Sequence, residues 1–259
     1  MNVNDFKNAV NNRKISVIGL GISNKPLIKY LVKLGADVTV YDKRTPEQLK
    51  DDYTEFSKLG IKFVTGENYL DNLSGEIIFK TPGLRFDHPA LLAARSRGSV
   101  VTSEMEVFFD ICPANIIAVT GSDGKTTTTT LIHKMMTAAG YKTWLGGNIG
   151  NPLLTDAENM TSSDWVILEL SSFQLHTMRK SPKIAVITNL SPNHLDVHKD
   201  YAEYIDAKKN IMRYQGADDK LVVNGSNEET AKIGSEAKGK CVDFSSKTDA
   251  YVHLEGDMI

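Results

Sequence analysis

The sequence has few cysteines and no long apolar run, and both shortages exclude classes of protein. Its two cysteines, Cys112 and Cys241, lie far apart and form no CxxC pair, so neither a disulfide framework nor a zinc site is indicated. No stretch approaches the roughly 18 apolar residues of a membrane-spanning helix, and the polar N-terminus is unlike a signal peptide. We therefore expect a cytoplasmic protein without membrane insertion.

The sequence also lacks an excess of charge of either sign. It has 30 basic and 32 acidic residues, a formal charge of −2 and a pI near 6.3, so there is no basic surface typical of nucleic-acid binding. With 41% hydrophobic residues in 259, the chain can form one large or two ordinary domains. We expect small-molecule partners, no nucleic acid, and a monomer.

The first part of the chain alternates strand patterns with helical ones. A strand at 15–18 leads into Gly19-Leu20-Gly21, and a helix is predicted from near Pro26 to near Gly35. Further short apolar runs follow at 38–41, 62–64 and 77–79. This alternation is typical of a doubly wound α/β fold, and we predict a Rossmann-like domain over residues 1–107.

The same kind of pattern restarts after Cys112-Pro113. The predicted elements are a strand at 116–120, a helix at 127–139, strands at 165–170 and 184–190, a helix at 201–213 and a strand at 221–224. Such alternation indicates a mostly parallel sheet, in which ligands gather at the carboxyl ends of the strands. We predict an ATP-binding domain of the phosphate-loop type over residues 108–259.

One loop carries the strongest chemical signal. Thr120-Gly121-Ser122-Asp123-Gly124-Lys125-Thr126 joins an apolar strand to a helix, as a phosphate-binding loop does, although Val119 occupies the place of the first glycine of the full motif. Lysine neutralises phosphate oxygens, a threonine hydroxyl can hold Mg²⁺, and backbone amides contact the phosphates. The alternative is a plain surface loop. The predicted ATP-binding residues are Gly121, Ser122, Asp123, Gly124, Lys125, Thr126 and Thr127.

Three ionisable residues elsewhere in this region are candidates for metal chemistry. Glu169 lies in an apolar strand, where a carboxylate must be paired or bind a metal; the alternative is a glutamate that faces solvent or a lysine. His194 follows a strand end and is either a ligand or an ordinary loop residue. Lys208, unlike Lys209, falls on the apolar stripe of its helix. It either extends outward to solvent or, in a dry site, has a depressed pKa and reacts with CO₂.

The glycine turn of the first domain resembles a dinucleotide-binding fingerprint. Gly19-Leu20-Gly21 is followed by Asp42 at the end of the next strand, but Asn24 stands at the position of the third glycine. That glycine lets the helix pack closely on the strand, so its replacement weakens the case for NAD. Another nucleotide-like ligand and no ligand at all remain as alternatives.

These motifs together resemble the Mur ligase family. The matching segments are GLGIS at 19–23, TPGL at 81–84, SEMEVF at 103–108, TGSDGKTTT at 120–128, GGNIGNP at 146–152, ELSSFQL at 169–175, TNLSPNHLD at 188–196 and YIDAKKNI at 204–211. ELSSFQL is most similar to the branch of the family that adds D-glutamate. The resemblance implies an ATP-dependent acid–D-amino-acid ligase of peptidoglycan precursor synthesis.

The resemblance also implies substrates and residue roles. ATP would phosphorylate UDP-N-acetylmuramoyl-L-alanine to an acyl phosphate, which the amine of D-glutamate attacks. By the match, Lys125 contacts the transferred phosphoryl group, Thr126 and Glu169 hold one Mg²⁺, and His194 holds a second with a carbamylated Lys208. The residues implied in substrate binding are Leu20, Ile22, Ser23 and Arg44 for the uracil and nearby phosphate, and Asn148 and Ser171 for the rest of the molecule.

Members of this family continue into a third domain, which contributes to the adenine and D-glutamate sites. Nothing in this sequence matches that C-terminal domain, so we expect a fragment that is inactive by itself. Two alternatives remain: a nucleotide-sugar-binding module without catalysis, and a different Mur or folylpolyglutamate-type ligase.

Overall fold

Two parallel sheets organise the chain in a computed structural model that describes residues 1–192, 198–246 and 250–253. The chain divides into two units: Met1–Cys112 with Leu154–Asn159, and Pro113–Leu153 with Met160–Ile259. The boundary predicted near residue 107 falls inside a helix, and the first unit extends to Cys112. The α/β class and the mostly parallel sheets are confirmed, because every strand pairing among the described residues is parallel.

The first unit contains a five-stranded sheet in the order β3-β2-β1-β4-β5. The change of direction between β1 and β4 creates the switch point at which such sheets bind ligands. The strands are β1 (Lys14–Ile18), β2 (Asp37–Asp42), β3 (Lys62–Thr65), β4 (Ile77–Phe79) and β5 (Val100–Thr102). The helices are α1 (Val3–Val10), α2 (Asn24–Lys33), α3 (Pro46–Leu49), α4 (Asp51–Ser57), α5 (Pro89–Ser96) and α6 (Glu104–Ile111).

The sequence explains why β1 and α2 form where they do. β1 is buried on both faces after its first residue, as a central parallel strand must be. Pro26 lies in the first turn of α2, where its missing N–H costs little. Gly35 follows the end of α2 with φ +83°, the left-handed conformation that glycine adopts without strain.

A short segment from later in the chain belongs to the first unit, which the sequence pattern does not predict. The 3₁₀ helix at Leu154–Asn159 packs against α6 and α2. The Leu154 backbone N–H donates to Glu104 Oε1 at 3.2 Å, and Lys7 pairs with Glu158. Glu104 is buried, and burial raises its pKa to about 7, against which the hydrogen bond from Leu154 acts.

The second unit contains a sheet whose described strands run in the order β12-β11-β10-β9-β6-β8-β7. The strands are β6 (Asn115–Thr120), β7 (Thr143–Gly147), β8 (Trp165–Glu169), β9 (Ile184–Ile187), β10 (Lys220–Asn224), β11 (Lys240–Ser245) and β12 (Val252–His253). The helices are α7 (Lys125–Ala138), α8 (Ser172–Leu175), α9 (Tyr201–Arg213) and α10 (Glu228–Gly234). β6, β8 and β9 are adjacent in this sheet, so the loop at 120–126, Glu169 and the residues that follow β9 lie at neighbouring strand ends.

Several elements of this unit differ from the sequence-based prediction, among them β7, β9 and the short helices α8 and α10. β7 is not predicted, because Gly146 and Gly147 interrupt its apolar pattern. β9 ends at Ile187, since Thr188 and Asn189 turn away to hold the next loop. No helix in the described part of the chain is long and apolar enough to cross a membrane.

Candidate functional site

Two glycines in the loop between β6 and α7 have a positive φ, a backbone conformation that other residues rarely adopt. Gly124 is the N-cap of α7 with φ +75°. Gly121 has φ +151°, and a Cβ at this position would lie 1.9 Å from Thr188 Oγ1 and 3.1 Å from the Asn189 carbonyl oxygen. The loop therefore approaches the end of β9 too closely for any side chain. As a result, the N-terminus of α7 and its positive dipole end face the space beyond the strands.

Residues at the end of β9 fix this loop. The Ser122 N–H donates to the Asn189 carbonyl at 2.9 Å, and the Asp123 N–H donates to Asn189 Oδ1 at 2.8 Å. Thr188 Oγ1 donates to the Asp123 carbonyl at 2.6 Å. Lys125 Nζ donates to the Ser122 carbonyl at 2.8 Å, so the lysine curls over the loop that would hold a phosphate. The side chains of Asp123, Thr126 and Thr127 are exposed.

A buried carboxylate joins the loop to the ends of β8 and β7. Glu169 is 2% exposed, accepts from Thr126 Oγ1 at 2.6 Å through Oε2, and accepts from Asn148 Nδ2 at 2.8 Å through Oε1. The alternative of a solvent-facing glutamate is therefore wrong. The structure brings Glu169, Thr126 and Asn148 together.

This arrangement fits a hard divalent cation. A carboxylate and a hydroxyl at hydrogen-bond distance present two oxygen ligands at a helix N-terminus, and Mg²⁺ is bound by one or two such ligands plus phosphate oxygens and water. Asn148 orients the carboxylate from the other side, as residues behind a metal ligand do.

Lys208 reaches the underside of the phosphate loop. It is 2% exposed, and its Nζ donates to the Gly121 carbonyl at 2.8 Å and to Thr120 Oγ1 at 3.2 Å. Burial, with the positive charge of Lys125, lowers the pKa of Lys208 to about 7, against the opposing effect of Glu169. The position of Lys208 on the core face of α9 is confirmed, and its side chain does not extend to solvent.

The residues of α9 near Lys208 lie on the sides of the helix that helical spacing predicts. Lys209 points away and pairs with Glu236, with Nζ 2.6 Å from Oε2. Tyr204 is buried one turn before Lys208, with the lysine Nζ 4.8 Å from the centre of its ring. Its hydroxyl lies 2.9 Å from Ser122 Oγ. The contribution of Tyr204 to the loop is not predicted from sequence, because an aromatic residue on the apolar face of a helix normally packs in the core.

Of two further predicted site residues, the structure describes Ser171 but not His194. His194 lies outside the described residues. Ser171 caps α8: its Oγ accepts from the Gln174 N–H at 3.3 Å and donates to Gln174 Oε1 at 3.0 Å. The described geometry therefore gives Ser171 a helix-capping role, and substrate contact by its hydroxyl stays a prediction.

The glycine turn of the first unit borders a cavity of about 340 Å³. The cavity lies at the switch point of the sheet, where β1 ends between β2 and β4. Its walls come from three segments, which are the turn at 18–21, the end of β2 at 42–44, and Thr81, Gly83 and Leu84 after β4, with Tyr69 completing them. Of the four residues predicted to bind uracil and the nearby phosphate, Leu20 and Arg44 line this cavity, whereas Ile22 and Ser23 do not.

Asp42 and Arg44 form a closed network in this cavity. Asp42 Oδ2 accepts from the Leu20 N–H at 2.7 Å and from Arg44 Nη2 at 2.7 Å, and Oδ1 accepts from Arg44 Nε at 2.9 Å. Burial opposes ionisation of Asp42, but the hydrogen bonds from Arg44 and Leu20 outweigh it, so its pKa is lowered. A dinucleotide site instead needs this carboxylate to bind the ribose hydroxyls.

Asn24 explains the altered fingerprint. Its side chain is 4% exposed, and Nδ2 donates to the carbonyls of Ile18 at 3.0 Å and Gly19 at 2.8 Å. The amide therefore occupies the space between helix and strand that a third glycine would leave free, and it ties the turn to the helix.

A buried lysine next to this cavity was missed. Lys80 follows β4, is 3% exposed, and its Nζ lies 3.4 Å from the carbonyls of Thr81 and Leu84, which line the cavity. Burial lowers its pKa to about 8, against the opposing effect of Glu106. Lys80 follows the apolar run Ile77–Phe79, and a charged residue next to an apolar strand is the same sequence feature as Glu169 in its strand.

Two protein-family models match most of the chain. Residues 119–258 match the Mur ligase middle domain, and residues 13–103 match the Mur ligase MurD-like N-terminal domain. The chain belongs to the Mur ligase family. Within this family it is 59% identical to a UDP-N-acetylmuramoylalanine–D-glutamate ligase of Acetivibrio thermocellus over 99% of its length, and 53% identical to one of Clostridium novyi, also over 99%.

The chain spans about half the length of these curated Mur ligase relatives, 56% and 57% respectively. Solved structures of the family show the same fold. The UDP-N-acetylmuramate:L-alanyl-γ-D-glutamyl-meso-diaminopimelate ligase of Neisseria meningitides matches 92% of this chain and 79% of its own with a TM-score of 0.60 and 18% identity. The UDP-N-acetylmuramate–alanine ligase of Thermotoga maritima matches 91% of this chain and 53% of its own with a TM-score of 0.54 and 23% identity.

Proposed function

We propose that this chain supplies the nucleotide-sugar site and the ATP site of a ligase that joins D-glutamate to UDP-N-acetylmuramoyl-L-alanine. The observation that carries the proposal is the contact of Thr126 with the buried Glu169 at the mouth of a glycine-dependent phosphate loop. The names of the relatives indicate the substrates, and the motif ELSSFQL at 169–175 supports the same branch.

In this reaction a carboxylate oxygen of the UDP-sugar attacks the γ-phosphorus of ATP, and the bond to the β-phosphate oxygen breaks to release ADP. The nitrogen of D-glutamate then attacks the carbonyl carbon of the acyl phosphate, loses a proton, and expels inorganic phosphate. The protein contributes position and positive charge. Lys125 and the amides at the start of α7 would hold the phosphoryl oxygens, because Lys125 is the first residue of that helix and its Nζ reaches back to the loop.

Thr126 and Glu169 would hold a Mg²⁺ ion, with Asn148 orienting the carboxylate. When bound, this ion neutralises charge on the phosphate oxygens and fixes their geometry. Asn148 donates one of its two amide hydrogens to Glu169, and we propose that the other contacts substrate.

Lys208 is suited to carry a carbamate. The neutral amine combines with CO₂ to give an N-carboxylate and one proton, and the new carboxylate would supply an oxygen ligand for a second Mg²⁺. Its burial and its pKa of about 7 support this role, because the neutral form is then well populated at neutral pH. We propose that His194 is the partner ligand, on the strength of the motif alone.

The cavity at the glycine turn suits a uridine nucleotide better than NAD. In a dinucleotide site the carboxylate at the position of Asp42 binds ribose, but here it already accepts hydrogen bonds from Arg44 and Leu20. Asn24 also stands at the position of the third glycine. We propose that uracil and ribose enter between Leu20 and Leu84, with Arg44 at one wall. Ile22 and Ser23, at the start of α2, would then lie toward the phosphate.

The metal-binding role of Thr126 can be tested against its neighbour. In a calorimetric titration with ATP, Mg²⁺ should tighten binding by the wild-type chain. Thr126→Val should lose about tenfold or more of that Mg²⁺-dependent gain, because one oxygen ligand is removed, while ATP binding without Mg²⁺ stays near normal. Thr127→Val is the matched control, because Thr127 is a predicted ATP contact whereas the bond to Glu169 comes from Thr126, so any loss of ATP binding should be the same with and without Mg²⁺. Equal effects of the two substitutions would contradict the proposal.

A further inference from the structure

A second group of metal-ligating side chains lies between α8 and α9, apart from the oxygen ligands at Glu169. His176 follows the end of α8, His198 precedes α9, and Glu203 lies in the first turn of α9. Among the described residues, these three form a group whose ligand atoms all lie within 4.8 Å of one another. His198 is 1% exposed, and the other two side chains are 17% exposed, so the group is reachable from solvent on one side.

The donor atoms lie near the separations that a tetrahedral metal ion needs, with two distances of 3.4 and 3.8 Å and all atoms within 4.8 Å of one another. Glu203 Oε1 lies 3.4 Å from His198 Nδ1 and 3.8 Å from His176 Nε2. An ion with bonds of roughly 2.0–2.1 Å in tetrahedral geometry keeps its ligand atoms about 3.4 Å apart. The three donors therefore need only small movements to share one ion.

The His198 ring is held in one orientation. Phe173 stacks on it with a centroid distance of 5.3 Å and an interplanar angle of 3°, and Tyr204 meets it edge-on at 5.4 Å. Its Nε2 lies 2.9 Å from Ser172 Oγ. When Nε2 carries the proton and donates it to Ser172 Oγ, Nδ1 is left unprotonated and can bind a metal, which is the usual arrangement behind a histidine ligand.

We propose that His176 Nε2, His198 Nδ1 and Glu203 Oε1 form a binding site for a transition-metal ion of the Zn²⁺ class, with water as the fourth ligand. Two imidazoles and one carboxylate are a typical ligand set for Zn²⁺ with an open position. Nitrogen donors also separate this site from the site at Thr126 and Glu169, whose oxygen donors suit Mg²⁺.

A metal ion at this site would influence the phosphate loop. It would join α8 to α9 through His176 and Glu203, and Tyr204, the residue after Glu203, contacts Ser122 Oγ through its hydroxyl. Stabilising this helix pair therefore stabilises one of the contacts that hold the phosphate loop.

The proposal is tested with chelator-treated protein, without nucleotide, by titrating Co²⁺ and following its visible absorption. The wild-type chain should bind one Co²⁺ with the intense bands of tetrahedral coordination, and Zn²⁺ should displace it. His198→Gln and Glu203→Gln should each abolish these bands, and Ser172→Ala should weaken binding about tenfold or more through the loss of the orienting hydrogen bond. Circular dichroism checks that each variant is folded, and two independent ligand variants guard against one that fails to fold.

The control variants are His194→Gln and Glu169→Gln, which alter the proposed Mg²⁺ ligands and should leave the Co²⁺ bands unchanged. The proposal is overturned if the wild-type chain shows no tetrahedral bands, or if the bands survive in folded His198→Gln and Glu203→Gln. It is equally overturned if His194→Gln or Glu169→Gln removes them, because the ion would then belong to the ATP site.

Discussion

Incubation with ¹³C-bicarbonate should place a carbamate on Lys208 and leave Lys209 as an amine. The two lysines are adjacent on α9, but Lys208 is buried under the phosphate loop, whereas Lys209 pairs with Glu236 at the surface. Carbamates form only from the neutral amine, so the population of that form decides which lysine reacts.

The expected preference follows from the pKa of Lys208. Burial, with the charge of Lys125, lowers this pKa to about 7, so roughly half of the side chain is neutral at pH 7. An ordinary lysine with a pKa near 10.4 has a neutral fraction smaller by a factor on the order of a thousand. The carbamate on Lys208 should therefore increase as the pH rises from about 6 to 8 and then level off.

The assay is ¹³C NMR of the chain with labelled bicarbonate, in which a carbamate gives a carbonyl signal separate from bicarbonate. Lys208→Met should remove the signal, and Lys209→Met should keep it. Mg²⁺ should strengthen it by binding the new carboxylate. A signal that survives in Lys208→Met, or one that disappears in Lys209→Met, would refute the reasoning from burial.

Three further predictions concern other parts of the chain. Glu104→Gln should raise the free energy of unfolding at pH 8 but not at pH 4.5. The pKa of Glu104 rises from 4.5 to about 7 on folding, so the ionised carboxyl costs up to about 3 kcal/mol of stability above that pH. Urea unfolding at both pH values measures the effect, and an equal effect at both would contradict the prediction. UDP binding by the wild-type chain should weaken as the pH rises through about 8, because Lys80 then loses its charge and with it the charge-assisted contact with the Leu84 carbonyl. Calorimetry should find UDP binding by Lys80→Met insensitive to pH over that range. Gly121→Ala should abolish ATP binding in a folded chain. Gly140→Ala should leave ATP binding intact, because a Cβ at Gly140 has no neighbour within 4 Å. ATP binding that survives in Gly121→Ala would contradict the close approach of this glycine to Thr188.

Local sequence patterns predicted most of the fold because the parallel strands are buried on both faces. β1, β6 and β8 are near-continuous apolar runs, and α9 has the bounds that its stripe predicts. β7 was missed because its glycines carry no hydrophobic signal. The placement of Leu154–Asn159 in the first unit rests on contacts between distant parts of the chain, which no local pattern records.

The chemistry of the site was predictable where a polar residue contradicts an apolar pattern. Glu169 in a buried strand and Lys208 on a core stripe are both such residues, and both reach the phosphate loop. The partners that fix their geometry were not predictable, because Asn148, Asn189 and Tyr204 follow the local pattern of a loop or a helix face. The cluster of His176, His198 and Glu203 likewise depends on how α8 and α9 pack.

The central claim, that this chain binds a uridine nucleotide sugar with its first unit, is tested most directly by calorimetric titration with UDP-N-acetylmuramoyl-L-alanine. The titration is run beside NAD and a folate, with Arg44→Ala as the variant that opens the Asp42 network in the cavity. Saturable binding of the UDP-sugar, weakened in Arg44→Ala and absent for NAD and the folate, is the predicted result. Binding of NAD or the folate without binding of the UDP-sugar would contradict the account.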